Sequence, residues 1–198
     1  MRPDEAIYIP WVVWLASWLA AASWADRTVK RPAGGSQILY RTVELFGFLF
    51  LLAYVVRRAP LGKYQGPGWT DPLWILNDDA KWALVGVAAL GFLFCWWARV
   101  HLGRLWSGAI TRKEGHRVID TGPYRIVRHP IYTGVILASL ATMAMRGTAV
   151  AVGGAALIVI GYWLKGRLEE RFLRTELGTD AYDAYAGKTA MLMPFVRL

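Results

Sequence analysis

The sequence predicts an all-α integral membrane protein of about five transmembrane helices, with a C-terminal helical segment on the cytoplasmic side. Three observations carry this. Hydrophobic residues make up 56% of the 198 residues, and the mean hydropathy is +0.31. Those residues are gathered into long blocks and do not alternate with polar ones. The 23 Lys and Arg, against 14 Asp and Glu, fall mainly between blocks that would share one side of a bilayer. The length allows a single membrane domain over 1–198. So high an apolar content argues against a disordered chain and against an ordinary soluble globule.

The first block, Ile7–Ala25, runs 19 residues without a charge. It exceeds the apolar core of a signal peptide, and Met1–Glu5 before it holds one Arg against two acids, so a retained helix is expected. Ile38–Val56 is also 19 residues but carries Arg41 and Glu44, three apart and able to pair on one helix face. Trp82–Ala98 has 17 residues, and Ile131–Met145 has 15, joined through Arg146 to the 18 residues of Gly147–Leu164 as a tight helical hairpin. At the helical rise, 17 to 19 residues span roughly 26–29 Å, close to the hydrocarbon core of a bilayer. Helices buried in a soluble bundle would show polar stripes that these blocks lack. Most of the 11 Trp lie near the predicted helix ends, as in an aromatic belt. Gly153 and Gly154, inside the last block, read as a place of close helix packing.

Five spans place sixteen Lys and Arg on one side and six on the other, which puts the long loop 99–130 and the tail 165–198 in the cytoplasm and the N-terminus outside. The basic excess is therefore a topology signal and an attraction to anionic lipid. No basic soluble module suggests nucleic acid. A lone Cys95 excludes an internal disulfide and a cysteine zinc site, and within its apolar block it reads as inert. His101, His116 and His129 show no i, i+4 spacing, so no metal is expected.

The tail opens with a helical pattern in which Leu168, Phe172 and Leu173 share a face. Gly178 is expected to end that helix, and Asp180 to cap a short one carrying Tyr182 and Tyr185. Met191–Phe195 is apolar again and should dip back against the membrane or a pocket. Between Gly115 and Gly134 the chain reads GHRVIDTGPYRIVRHPIYTG. Pro130 suits the first turn of the following helix, which leaves Arg128 and His129 at its positive dipole end. Cations crowded there require an anion opposite. Glu169 and Glu170 supply one candidate, and a ligand carboxylate another.

The run GPYRIVRHPIYTG, an apolar hairpin, RLEERFL and then AYDAYAGKTAMLMPF together resemble the isoprenylcysteine carboxyl methyltransferase family and its relatives among membrane phospholipid methyltransferases. The resemblance covers about Gly103–Phe195 and is closest in kind to short prokaryotic members, which suggests a bacterial or archaeal cytoplasmic membrane. It implies methyl transfer from S-adenosyl-L-methionine, with S-adenosyl-L-homocysteine as product, to a lipid-borne or prenylated substrate. Carboxyl O-methylation of an isoprenylcysteine-like acceptor comes first and phospholipid N-methylation is the alternative. The cofactor would be held between the RHPxYxG region and the C-terminal segment closing over it, in keeping with a chain that has no strand followed by GxGxxG.

On this reading Arg167 pins the carboxylate nucleophile, since bidentate geometry favours Arg, and Glu170 one turn on acts with it as the catalytic pair. Glu169 and Glu170 are about 100° apart on a helix, so only one can face the site, and the sequence leaves open which. Glu169 is placed with the cofactor-binding groups. His129 would meet the cofactor's carboxylate or ribose, and Arg128 a carboxylate or phosphate. Tyr124, Tyr132, Tyr182 and Tyr185 would line the cavity and turn ring faces to the sulfonium. Gly134 would permit close backbone approach. Membrane sterol reductases that use NADPH look similar over the C-terminal half. They are expected to carry Arg-Asp-Glu where this chain has Leu168–Glu169–Glu170, and more than five helices, and both departures favour methyl transfer.

Overall fold

A computed structural model describes residues 1–24, 27–32, 34–52, 68–114, 117–194 and 196. The chain is mostly helical. Helix α1 (Pro3–Ala6) passes through Ile7 into α2 (Tyr8–Ala20), and the two with the following turn form an apolar span over Pro3–Ser23. The helix starts before the first apolar block because Pro3, Asp4 and Glu5 suit an N-terminal turn. Asp4 also pairs with Lys81 at 3.0 Å, which ties α1 to the fourth helix.

Helix α3 (Ile38–Leu52) covers the described part of the second block, whose end at 53–56 lies outside the described residues, as does Ala25 of the first. Helix α4 (Asp78–Leu102) exceeds the predicted 82–98 at both ends. Asn77 accepts a hydrogen bond from the Ala80 N–H, Asp78 and Asp79 fill the first turn, and Arg99 and His101 the last, all in agreement with the helix dipole. Helices α5 (Pro130–Arg146) and α6 (Ala149–Leu177) form the expected hairpin. Gly147 makes its turn at φ +59°, and Thr148 caps α6 through the Ala151 N–H. Helix α6 does not stop at Leu164: the amphipathic helix read separately in the tail is its final part. The last helix, α7 (Thr179–Ala186), is capped at Gly178, so Asp180 lies in its first turn and not at the cap as expected.

Three of these helical segments, Pro3–Ser23, Asp78–Leu105 and Ala149–Leu177, are long and apolar enough to cross a bilayer. The 15 described residues of α3 and the 17 of α5 are shorter, so the described residues support three candidate spans where the sequence predicted five. Exposed Val12, Leu19, Leu45, Leu49, Leu93 and Ile160 give the helices an apolar outer surface, as an integral membrane protein requires. Helix α4 packs on α5, and α3 on α6. A Cβ on Gly91 would lie 2.6 Å from the Gly134 carbonyl oxygen, and one on Gly154 2.5 Å from the Leu51 nitrogen, so both pairs of helices touch backbone to backbone. Gly153, by contrast, has open space beside it. The core between the helices is built from Trp11, Leu51, Phe92, Val135 and Ile158.

One feature departs from the all-α expectation. Strands β1 (Thr28–Lys30) and β2 (Arg112–Lys113) pair antiparallel and clip the loop after α2 to the loop after α4. Glu176 near the end of α6 meets Lys30 at 2.6 Å and Arg112 at 3.3 Å, which holds this ribbon against the helix ends.

Gly134→Val should force α4 and α5 apart and destabilise the protein by about 1–3 kcal/mol. A lowered thermal midpoint in detergent is the expected result, and an unchanged one would show that the contact is not tight.

Candidate active site

Pro130 starts α5 and leaves the N–H groups of the residues before it without helical partners. The C-terminal segment supplies them. Arg128 N–H donates to the Ala190 carbonyl at 2.8 Å and His129 N–H to the Met191 carbonyl at 3.1 Å, while the Thr133 hydroxyl donates to Leu192 at 2.6 Å. The apolar stretch Met191–Phe195 thus does return to the protein, with Met191 buried, although Phe195 lies outside the described residues. Gly166 on α6 makes this docking possible: a Cβ there would strike the Met191 side chain and crowd the His129 ring.

The cations at the α5 entrance meet the anion they need. Arg128 Nε donates to Glu170 Oε1 at 2.6 Å and Nη2 to Oε2 at 3.3 Å, a bidentate pair with both side chains more than nine-tenths buried. Arg128 Nη1 donates to the carbonyls of Ala186 and Thr189. His129 Nε2 lies 3.2 Å from Glu170 Oε1, and its Nδ1 3.6 Å from Glu169 Oε2. Glu169 turns the other way and accepts a 2.6 Å bond from the Tyr132 hydroxyl. The His129 and Tyr132 rings stack at 5.0 Å and 4°.

A cavity of about 210 Å³ opens at this end of the helices. Arg128, His129, Tyr132, Lys165 and Glu169 form one wall, α7 adds Tyr182 and Tyr185, and the α4–α5 loop adds Thr111 and Tyr124. Seven of the ten residues singled out in the sequence therefore line one space: Tyr124, Arg128, His129, Tyr132, Glu169, Tyr182 and Tyr185. The other three are placed differently. Glu170 stands behind the wall and holds Arg128 and His129. Gly134 faces α4, where Gly91 and Cys95 fill the space beside it, so its small size serves helix packing. Arg167 is exposed on the opposite face of α6, its guanidinium 5.8 Å from the centroid of the Trp163 ring, and does not reach the cavity.

Lys165 and Thr111 are among the cavity residues that the sequence reading did not single out. The Lys165 ammonium sits over the rings of Tyr132, Tyr162 and Tyr40 at 4.8, 5.5 and 5.6 Å. It lies where the cation expected of Arg167 should be. It follows directly on the last apolar block and was counted only as the first residue of the tail. Thr111 is 6% exposed and its buried hydroxyl has no hydrogen-bond partner among the described residues. Nothing in the local sequence distinguishes it. Burial holds the phenols of Tyr124, Tyr182 and Tyr185 above the ordinary tyrosine value, so they remain hydrogen-bond donors. Tyr185 donates to the Tyr124 carbonyl at 2.8 Å, which joins α7 to the loop before α5.

Residues 84–174 match the family described as isoprenylcysteine carboxyl methyltransferase (ICMT). Protein-S-isoprenylcysteine O-methyltransferase A of Arabidopsis thaliana is 33% identical over 133 residues, and form B of the same plant 28% over 133; each match covers 66% of this chain and 64% of the relative. Methanethiol S-methyltransferase 2 of Bradyrhizobium diazoefficiens is 32% identical over 135 residues, 62% of this chain and 50% of its own. The chain thus spans under two thirds of the length of these relatives.

Arg128→Ala should strand the Glu170 carboxylate and cost about 3–5 kcal/mol. Protease sensitivity of the segment after α7 should rise with it, and an unchanged cleavage pattern would show that Arg128 does not hold that segment. Raised tyrosine pKa values mean that the folded state binds the phenolic protons more tightly than the unfolded state. The associated stability is complete below about pH 10 and is lost as pH climbs above it. An alkaline titration should therefore show Tyr182 and Tyr185 ionising only as α7 is released. Ionisation near pH 10 with α7 still docked would contradict their burial.

Proposed function

We propose, from the premise that the site-bearing segment of this chain belongs to the isoprenylcysteine carboxyl methyltransferase family, that the protein is an integral membrane methyltransferase. Its methyl donor is S-adenosyl-L-methionine and its acceptor a lipid-borne carboxylate of the isoprenylcysteine kind. The observation that carries this reading is one cavity that joins a carboxylate, a cation and tyrosine ring faces at the ends of membrane helices.

The residues present fit such a donor. Glu169 offers a carboxylate to an amino group, and His129 and the Tyr182 hydroxyl can bond a carboxylate or ribose. The rings of Tyr132 and Tyr162 already face the Lys165 ammonium and help to hold it. When bound, the donor supplies a methyl group on positively charged sulfur, so that an acceptor oxygen forms the new C–O bond as the C–S bond breaks and its electron pair returns to sulfur.

What the chain must do is align, neutralise and dry. An acceptor carboxylate is already ionised near neutrality and needs no general base. Lys165 pairs with it and fixes its approach, the role the sequence had suggested for Arg167. Glu170 positions Arg128 and His129 and does not itself touch the ligand. Leu173 and Leu177 line the cavity beneath the covering loop and exclude water. The distribution of Lys and Arg supports a cytoplasmic site, and we assign the protein to a prokaryotic cytoplasmic membrane. A thiol acceptor is the second reading, favoured by the methanethiol-methylating relative.

Calorimetry on the purified protein should show binding of S-adenosyl-L-homocysteine and none of NADPH; the reverse result rejects the proposal. Lys165→Met should raise KM for a carboxylate acceptor roughly 10- to 100-fold, the loss expected for a hydrogen bond to a charged group. Arg167→Ala should leave turnover within about twofold. Equal losses in both variants would restore the role to Arg167.

A further inference from the structure

Helices α3 and α6 run antiparallel in a fixed register. A Cβ on Gly154 would meet Leu51, one on Gly47 would lie 2.8 Å from the Ile158 side chain, and one on Gly161 would lie 2.7 Å from Glu44 Cγ. The next rung toward the site is Tyr40 with Lys165, whose ammonium is 5.6 Å from the Tyr40 ring centroid. Each rung is three or four residues from the last on both helices, so one face of α3 follows one face of α6. Glu44 therefore stands one turn deeper than the Lys165 ammonium, over the bare backbone at Gly161. Helix α3 lies outside the family-matched residues 84–174.

A carboxyl group between two apolar helices needs a counter-charge. Glu44 Oε1 is buried and has no hydrogen-bond partner among the described residues. Two cations act on it electrostatically, Lys165 from α6 and Arg41 from its own helix. Arg41 is engaged elsewhere: its Nη2 donates to Gln37 Oε1 at 2.9 Å and its Nε to the Tyr40 hydroxyl at 3.4 Å. Lys165 has the complementary need. Tyrosine rings hold its ammonium in place but do not neutralise it. Of the other groups around it, Tyr132 stands at the start of α5 and Tyr162 on α6. Glu169, also on α6, accepts the Tyr132 hydroxyl at 2.6 Å and lies 3.6 Å from His129 Nδ1.

We infer that Glu44 is a positioning residue of the acceptor site: its carboxylate, one turn behind Lys165, keeps that ammonium charged within its ring cage for an acceptor carboxylate. This rests on the methyltransferase reading and adds a residue from a helix that the family match does not include. Glu44 does not line the cavity and touches no ligand. It acts through Lys165, as Glu170 acts through Arg128 and His129 on the neighbouring part of the wall. Glu170 does so by direct contact, Glu44 by its charge across the gap that Gly161 leaves open. An opposite charge nearby favours the protonated amine, so Glu44 extends acceptor binding to higher pH.

Full-length protein in phosphatidylcholine nanodiscs is loaded with S-adenosyl-L-homocysteine, and its affinity for N-acetyl-S-farnesylcysteine is followed by calorimetry from neutral to alkaline pH. Affinity should fall at alkaline pH in the unmodified protein, and Lys165→Met should abolish that fall. Glu44→Gln keeps the side chain's size and removes its charge. It should bring the fall to a pH lower by about one unit, the smaller end of the effect of a neighbouring opposite charge. Glu44→Asp retains the charge and should restore most of the difference. In a Lys165→Met background, Glu44→Gln should change acceptor affinity by less than about 1.5-fold, since a residue acting through Lys165 has nothing left to act on. An unmoved alkaline fall in Glu44→Gln overturns the inference, gives the counter-charge to Glu169 and leaves the proposed function standing. The same loss from Glu44→Gln with and without Lys165 makes Glu44 a packing residue and overturns it too, as does loss of S-adenosyl-L-homocysteine binding in Glu44→Gln alone. An acceptor affinity that Lys165→Met leaves unchanged removes Lys165 from the site, and Glu44 with it. No S-adenosyl-L-homocysteine binding by the unmodified protein overturns the methyltransferase reading itself.

Discussion

The bidentate pair between Arg128 and Glu170 is the constraint on which the rest of the site depends. Two charges withdrawn from water are tolerated only if nearly every donor and lone pair is used. Here the remaining guanidinium nitrogen reaches two carbonyls of the segment after α7, and the second neighbour of Glu170 is His129. One guanidinium thus joins three stretches of chain far apart in sequence: the entrance of α5, the overhang of α6 and the C-terminal segment. Without Glu170 the positive end of α5 would face an unmatched guanidinium.

The overhang of α6 follows the same logic. A helix that ended with its apolar block would leave no rigid platform beyond the bilayer. Continued to Leu177, it presents Lys165, Glu169, Leu173 and Leu177 to one cavity and Glu170 to the ion pair behind it. The loop after α4, pinned by the short β ribbon and by Glu176, roofs that platform, and α7 closes its side. The result is a cavity lined by ionic and aromatic side chains at one end of the apolar helices.

Much of the site was legible in the chain because its chemistry is local. Arg128, His129 and Pro130 stand together at a helix entrance, Glu169 and Glu170 one after the other, Tyr182 and Tyr185 one turn apart, and each pattern reports its own neighbourhood. The errors came where a residue's facing mattered. Arg167 and Lys165 are two positions apart, about 200° around a helix, so one faces the cavity if the other faces away. The eye for bidentate chemistry favoured Arg, whereas the packing of α3 against α6 turned Lys165 inward among Tyr40, Tyr132 and Tyr162. Gly134 was read as room for a ligand, yet the room is taken by α4. Thr111 gave no signal, since its burial exists only once neighbours have been placed.

Sequence alone determined that this is a helical membrane protein, where the α5–α6 hairpin turns, and which short segments carry charge and chemistry, because hydropathy, capping and dipole effects act over a few residues. Tertiary structure decided which face of each helix met its neighbour, that α6 runs unbroken past the bilayer, that Glu170 is a strut and Glu169 a wall, and that α2 brings tryptophans to the site. Those outcomes depend on contacts between residues tens of positions apart, and no local pattern contains the angle at which two helices come together.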